Sequence, residues 1–477
     1  LEEDETRQSS AVDVLVRIFD RLGYERRCGG ATPLPTEESN GVAEAVLRAA
    51  AEAAGPHFGQ LWERAGNVLR SRLLGLLRSV AICAAGCAHH GPNPAHAAIL
   101  NVVAAVLGQE GKGDTENLVG GALGAWMAVL RTSDAYTNDM DGTYAALGVH
   151  VRRCGGPSDW WEHLRPIMLL TESYILLGGA HFLNAGHAAT VSLLLSQTLT
   201  QVRPRGASYV MTVVDALLRA FPKEGGVLLA ATPPEMPDVP SALQRMLTAC
   251  AGNFWGVRNC EPDVVVVSYL EALARACWGD LGILDGFYPV QVMGRPGEKP
   301  FGEDHPLQVF SGEHFGPQQL MELYFERIDN AGHGPHGPHR RKFWAMFLLS
   351  LLPKDAHQHY HPYSLAVVKE MDRLVNLLMD VLTQLDELAA KGVPTFKPTC
   401  TAWDDDDDDA DVVDDGGRYA RILTQHMAKD VVHTTDLRDC IRTSMHALAT
   451  SMGQEAYDEV MGTVEPVVLR QLQEKLL

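Results

Sequence analysis

The run Met371-Asp-Arg-Leu-Val-Asn-Leu-Leu-Met-Asp-Val-Leu-Thr-Gln-Leu-Asp-Glu-Leu388 decides the fold class. Its apolar residues Met371, Leu374, Val375, Leu378, Val381, Leu382, Leu385 and Leu388 recur at steps of three and four. That spacing places them on one stripe of a helix with a 3.6-residue period. Leu61, Ala65, Val68, Leu69, Leu76, Leu77 and Val80 repeat the pattern. The same reading predicts helices over Gly41–Ala54, Glu116–Arg131, Trp160–Leu177, Ala188–Val202, Ser208–Ala220, Ser241–Ala251 and Val264–Ala276. Further ones are expected over Pro317–Ile328, Arg340–Leu352, Leu437–Ser451 and Gln454–Val464. Breaks are expected at Gly155–Pro157, Pro204–Gly206, Pro233-Pro234, Gly334-Pro335 and Gly337-Pro338. Strand-like alternation is nearly absent. The β-branched run Val264–Val267 flows without a turn into Ser268-Tyr-Leu-Glu-Ala, so it reads as a helix start.

Helix pairs arriving every ~40–47 residues are the mark of HEAT-type repeats, in which each pair buries its apolar face on its neighbours. The chain is therefore expected to be an all-α, HEAT-repeat α-solenoid of about ten helix pairs. A globular multi-helix bundle is the competing architecture. The solenoid is preferred because no signature of a compact enzyme core interrupts the helices.

Composition narrows the function. The 477 residues carry 40 Lys+Arg against 60 Asp+Glu, a formal net charge of −20, with a pI near 5.4. An acidic surface repels phosphate backbones and attracts basic proteins, so nucleic acid is disfavoured and basic protein partners are favoured. Nine cysteines, an odd number scattered through apolar segments, suit a reducing compartment. The chain starts at Leu1 with no Met and no charged-then-apolar leader, which is expected of a fragment of a longer protein. Two stretches lack Asp, Glu, Lys and Arg, 79–109 and 173–202. Histidines, prolines and hydroxyl residues interrupt both, and a spanning helix needs ~20 mostly apolar residues in a row, so no membrane insertion is expected.

One segment departs from the helical pattern. Asp404, Asp405, Asp406, Asp407, Asp408 and Asp409 are followed by Asp411, Asp414 and Asp415. Like charges at this density repel and cannot be buried, so 395–419 is expected to be a disordered acidic loop. It would separate helical repeats over 1–394 from C-terminal capping helices over 420–477. Asp404–Asp409 are the candidate partner-binding residues, as an electrostatic contact for basic segments of a partner. A purely solubilising loop is the alternative, and the two are physically compatible.

No chemistry assembles elsewhere. Cys83-x3-Cys87-x-His89-His90 offers four soft ligands but lacks the second cluster that zinc sites use. His333, His336, His339, His357, His359 and His361 lack the preorganised spacing of a catalytic metal motif. Gly120-Gly-Ala-Leu-Gly124 lies in a helical stretch without the Lys-Ser/Thr of a phosphate loop. Six adjacent Asp lack the alternating ligands and turn glycine of an EF-hand loop. No enzyme, metal or cofactor is expected.

Several helices nevertheless look familiar. His339-Arg-Arg-Lys-Phe-Trp-Ala-Met-Phe-Leu-Leu-Ser-Leu-Leu-Pro353 resembles a helix of the importin-β family of nuclear transport receptors, specifically its importin eleven branch. Lys429-Asp-Val-Val-His-Thr434 resembles that branch's Lys-Asp-Pro-Val-His-Thr element, with Val431 in place of proline. Glu116-Asn-Leu-Val-Gly-Gly-Ala-Leu-Gly-Ala-Trp126, Met321–Asn330, Met452-Gly-Gln454 and Leu469–Gln473 fall in the order expected of it. The resemblance is dense from Met321 onward and thin before it.

It implies a superhelical receptor that binds protein cargo, meets the FG-repeat proteins of the nuclear pore, releases cargo on Ran-GTP and shuttles between cytoplasm and nucleus. The family's Ran-binding repeats are N-terminal, so this chain would be the C-terminal, cargo-side half, with Ran-GTP bound mainly by repeats outside it. A cytosolic HEAT scaffold unrelated to transport is the alternative.

Overall fold

The computed structural model describes residues 7–17, 61–84, 94–108, 116–133, 135–153, 161–184, 186–202, 204–234, 236–256, 260–288, 290, 315–332, 337–354, 362–392 and 418–476. Nearly all of these are helical. Among them the one extended pairing is an antiparallel bridge between Val290 and Phe315. The chain divides into two compact units, one of residues 1–194 and 406–423, the other of residues 195–405 and 424–477.

The first unit holds α1 (Asn67–Ala84), α2 (Pro94–Gly108), α3 (Glu116–Thr132), α4 (Asn138–Arg153), α5 (Leu164–Gly178), the short α6 (Ala180–Asn184) and the start of α7 (Ala188–Gln201). α1 packs on α3 and α3 on α5, while α2 packs on α3 and α4. Contacts to a sequence neighbour and to the helix two places on are the pattern of stacked helix pairs. α1, α3 and α5 begin at residues 67, 116 and 164, steps of 49 and 48. Trp126 on α3 is fully buried at the centre of this unit. It donates from Nε1 to the Tyr174 hydroxyl at 3.0 Å, which in turn donates to the Met140 carbonyl at 2.9 Å. Edge-on packing against Tyr174 and Tyr144 completes the aromatic centre.

The second unit contains α8 (Pro204–Ala220), α9 (Pro222–Ala230), α10 (Ala242–Phe254), α11 (Asp263–Gly279), α12 (Pro317–Glu326), α13 (Ile328–Ala331), α14 (Gly337–Ser350), α15 (Pro362–Lys369) and α16 (Met371–Ala390). After them come the end of α17 (Arg418–Ala428), whose first residues belong to the first unit, and α18 (Val431–Thr434), α19 (Leu437–Met452), α20 (Gln454–Met461) and α21 (Pro466–Leu476). α8, α11, α14 and α19 touch in succession to form one row, and α10, α12 and α15 form a second row beside it. Two parallel rows of helices are the two layers of an α-solenoid. Along α16, Met371, Leu374, Val375, Leu378, Val381 and Leu382 are buried as their spacing predicts. Leu385 and Leu388 are only half-buried, so the stripe emerges from the core over its last two turns.

Helix ends depart from the sequence expectation at identifiable places. Pro204-Arg-Gly206 and Gly337-Pro338 open α8 and α14 instead of separating helices. Proline is tolerated in a first turn because the N–H it lacks has no partner there. The segment expected as one helix from Trp160 is a 3₁₀ turn over Trp161–His163 followed by α5. α2, α4, α9, α15, α17 and α21 have no counterpart among the predicted helices. α4 shows why: its core side includes Thr143, Gly148 and His150, which break any apolar stripe. Gly41–Ala54 and the acidic segment 395–417 lie outside the described residues. No helix among the described residues is long and apolar enough to cross a membrane.

Candidate functional site

Asp404–Asp409, the partner-binding residues expected from sequence, lie outside the described residues, as do Cys87, His89, His90, His333, His336, His357, His359 and His361. Among the described residues no group of three or more His, Cys, Asp and Glu is arranged to hold a metal ion. The most developed polar constellation lies instead inside the second unit, and it joins the two motifs that carried the family resemblance.

Its centre is Asp430, the residue before α18, with a side chain 2% exposed. Arg219 of α8 donates to one carboxylate oxygen of Asp430. Arg275 of α11 lies 3.3 Å from the other through Nη1 and 3.2 Å from the first through Nη2. Each arginine also has an acidic partner one turn earlier on its own helix. Arg219 Nε donates to Asp215 at 2.6 Å, and Arg275 Nη2 lies 3.4 Å from Glu271. Arg340 of α14 donates from Nε to the other oxygen of Glu271 at 2.7 Å. The Arg275 guanidinium also sits over the Phe343 ring of α14, 4.4 Å from its centroid, a cation–π contact. Two helices, α8 and α11, thus converge on one carboxylate that arrives from 155 residues downstream of Arg275 and 211 downstream of Arg219, while α14 joins through Glu271.

The same carboxylate caps α18 by accepting from the Val432 N–H at 3.2 Å. The other end of that turn is closed by Lys342 of α14, whose Nζ donates to the carbonyls of Val432 at 2.5 Å and Thr435 at 2.8 Å. Arg341 reaches outward to Asp380 at 3.4 Å. The Arg-Arg-Lys start of α14 and the Lys-Asp-Val-Val-His-Thr element are therefore two halves of one joint. Val431 occupies the first helical position, where the backbone N–H has no partner within the helix, so valine serves there as proline would.

The electrostatics agree with the geometry. Burial alone would push Asp430 up, but Arg275 and Arg219 outweigh it and hold the carboxyl below its usual range. Burial of Glu271 is likewise outweighed by Arg340, Arg275 and Arg219, which bring it down to about 2. Burial depresses Lys342 and His433, against the opposing pull of nearby acids. Replacing such a cluster by apolar residues often costs nothing, whereas breaking it leaves an uncompensated buried charge. The cluster holds α8, α11, α14 and α18 together through contacts that none of these helices makes alone.

This has a consequence in acid. Carboxyls depressed in the folded chain add stability above their unfolded values near 4, and lose it as pH falls through their folded values. Unfolding midpoints should drop steeply between about pH 4.5 and pH 2. Denaturant titrations of the native chain and of Glu271→Gln should show a shallower acid slope in the variant.

A second polar knot lies in the first unit. Asp141 of α4 accepts from the Tyr136 hydroxyl at 2.8 Å and pairs with His187 at 2.9 Å and His181 at 3.1 Å. Burial raises the carboxyl, but these hydrogen bonds, His187 first, prevail and lower it. With Tyr144 and Tyr174 edge-on and Phe182 tilted against His187, the knot ties the start of α4 to α6 and the turn after it.

Sequence reading missed Asp215, Arg219, Glu271 and Arg275. A signal was present: two acid-before-base pairs at i, i+4, each base embedded among apolar residues, as in Leu217-Leu-Arg-Ala220 and Leu273-Ala-Arg-Ala-Cys277.

Comparison with known proteins gives this geometry a context. The family model described as importin-11-like TPR repeats matches residues 93–477. Importin-11 of Mus musculus is 24% identical over 322 residues, covering 66% of this chain and 28% of the mouse protein. Importin-11 of Homo sapiens is 23% identical over the same length and with the same coverages. The match thus spans little more than a quarter of these relatives' length. No solved structure matches. Both TPR and HEAT arrays stack helix pairs, with repeats of 34 and ~40–47 residues, and the steps of 49 and 48 here lie nearer the HEAT value.

Proposed function

Because the chain belongs to the importin-11-like family of helical-repeat transport proteins, we propose that it is the cargo-side section of a nuclear import receptor. The observation that carries this reading is the family match over 93–477, and the formal charge of −20 gives it a cargo chemistry. The cargo is basic protein. Its recruitment is electrostatic, and its selection depends on the curvature set by packing between helix pairs. The charged joint around Asp430 supports that mechanism, because it fixes how α8, α11 and α14 meet the C-terminal helices. Ran-GTP engages mainly repeats outside this chain, and FG-repeat proteins guide passage through the pore. The receptor shuttles between cytoplasm and nucleus. Function is binding without chemistry.

Asp404–Asp409 act in this reading as an exposed lure for basic segments. Binding of a Lys/Arg-rich peptide must then weaken between 0.1 M and 1 M salt, as the Debye length shrinks from ~10 Å to ~3 Å. Changing all six to Asn should lower the association rate more than it raises the dissociation rate, since a charged loop steers encounter without being buried. Stopped-flow binding of a fluorescent basic peptide measures both rates. Equal rates for the two forms would remove the lure, and salt-independent binding would remove the electrostatic account altogether.

A further inference from the structure

His150 lies in the last turn of α4 and is only 7% exposed. Nη2 of Arg153, three residues on, stands 3.1 Å from His150 Nδ1 and donates to the Leu107 carbonyl, also at 3.1 Å. Leu107 belongs to the last turn of α2, where carbonyls have no partner inside the helix. One amino group with two N–H bonds thus ties the end of α2 to the end of α4. A guanidinium donates, never accepts, and keeps its proton at any ordinary pH, so the contact dictates the state of His150. Nδ1 must hold a lone pair, because a proton there would point at another N–H.

The surroundings oppose that proton as well. Burial first, then Arg153 and His163 of the turn before α5, push the imidazole down to about 4. Burial pushes His163 down too, against the pull of Glu162 beside it. The described helices next to α4 bring no acid. α2 has no ionisable residue from Ala97 to Gly108. α7, whose Thr190 adjoins Gly148 of α4, has none over Ala188–Gln201.

We propose that His150 and Arg153 form an acid-released latch between α2 and α4, closed while the imidazole is neutral and opened when Nδ1 takes a proton. Protonation removes the acceptor of Arg153, sets two cations side by side and frees the Leu107 carbonyl. A histidine depressed in the folded chain adds stability above its unfolded value near 6.5, and loses it as pH falls toward its folded value. That window lies above the one expected for the carboxyls of the second unit. The inference rests on the first unit alone and is independent of the transport reading.

Hydrogen exchange of the full chain at pH 7.5 and pH 5.0, corrected for intrinsic rates, reads the latch. The opening equilibrium of the last turns of α2 and α4 should rise roughly 30-fold in acid, the ratio that a fall from 6.5 to about 4 produces at pH 5. His150→Gln supplies an acceptor oxygen that does not titrate in this range, so its rise should be at least about fivefold smaller. The control His446→Gln, at an exposed histidine of α19, should behave as the native chain does. In the native chain the His150 imidazole resonance should keep its neutral position down to about pH 5, a readout that stands even where a variant fails to fold. A His150 resonance that titrates at about pH 6 or above, or an acid-induced rise as large in His150→Gln as in the native chain, would overturn the proposal.

Discussion

Replacing Asp430 with alanine is expected to lower the stability of the second unit by about 3–5 kcal/mol, the usual cost of removing one partner from a buried ion pair. The size follows from what remains. Arg275 is 6% exposed and Arg219 18% exposed, and both lose their shared carboxylate while staying in place. The cap of α18 goes with it, adding about 1 kcal/mol. Asp430→Asn keeps a capping oxygen but not the charge, so it should fall between alanine and the native chain. Urea midpoints for the three forms would show this order. Hydrogen exchange should place the lost protection in α18 and α19 together with α8 and α11, because the carboxylate is what these elements share. An unchanged midpoint for Asp430→Ala would mean that Asp215 and Glu271 satisfy the arginines alone.

Leu378→Asp is the second large effect. Leu378 is fully buried on α16, as are Leu374, Val375, Val381 and Leu382. A carboxylate there must be desolvated without a partner, or be protonated at a comparable cost, so the loss should reach several kcal/mol. Leu378→Ala separates charge from volume, since it removes packing alone and should cost about 2–5 kcal/mol. Thermal unfolding of both variants tests the pair. A loss for Leu378→Asp no greater than for Leu378→Ala would mean that the face is wet, and that α16 presents it to a partner.

The two variants probe different kinds of legibility. Leu378 was readable because burial on a helix leaves a period, and the period survives in the sequence alone. The β-branched start of α11 was readable because Val264–Val267 runs into Ser268-Tyr-Leu-Glu-Ala without a turn. Asp430 was visible only as one letter of a familiar element. Its partners lie far upstream, and nothing in local spacing reports a contact of that separation. Helix boundaries were legible where a side chain caps them, as Asp436 does by accepting from the Arg438 N–H at 2.8 Å before α19. They were misread at Pro204 and Pro338, where proline signals a start as readily as a stop. Fold class came from repetition, which averages over such errors. The joint could not, because it depends on seven charged side chains meeting once.

The import reading is tested most directly by one measurement on the receptor that this reading proposes. A basic protein cargo should be bound in the absence of Ran-GTP and released when Ran-GTP is added, a reciprocal coupling between two sites. Light scattering or fluorescence anisotropy of the labelled cargo would follow the release, with Ran-GDP as the control. Release by Ran-GTP and not by Ran-GDP is the predicted result. Cargo that stays bound equally with either nucleotide would contradict the import account and favour a scaffold built on the same helical array.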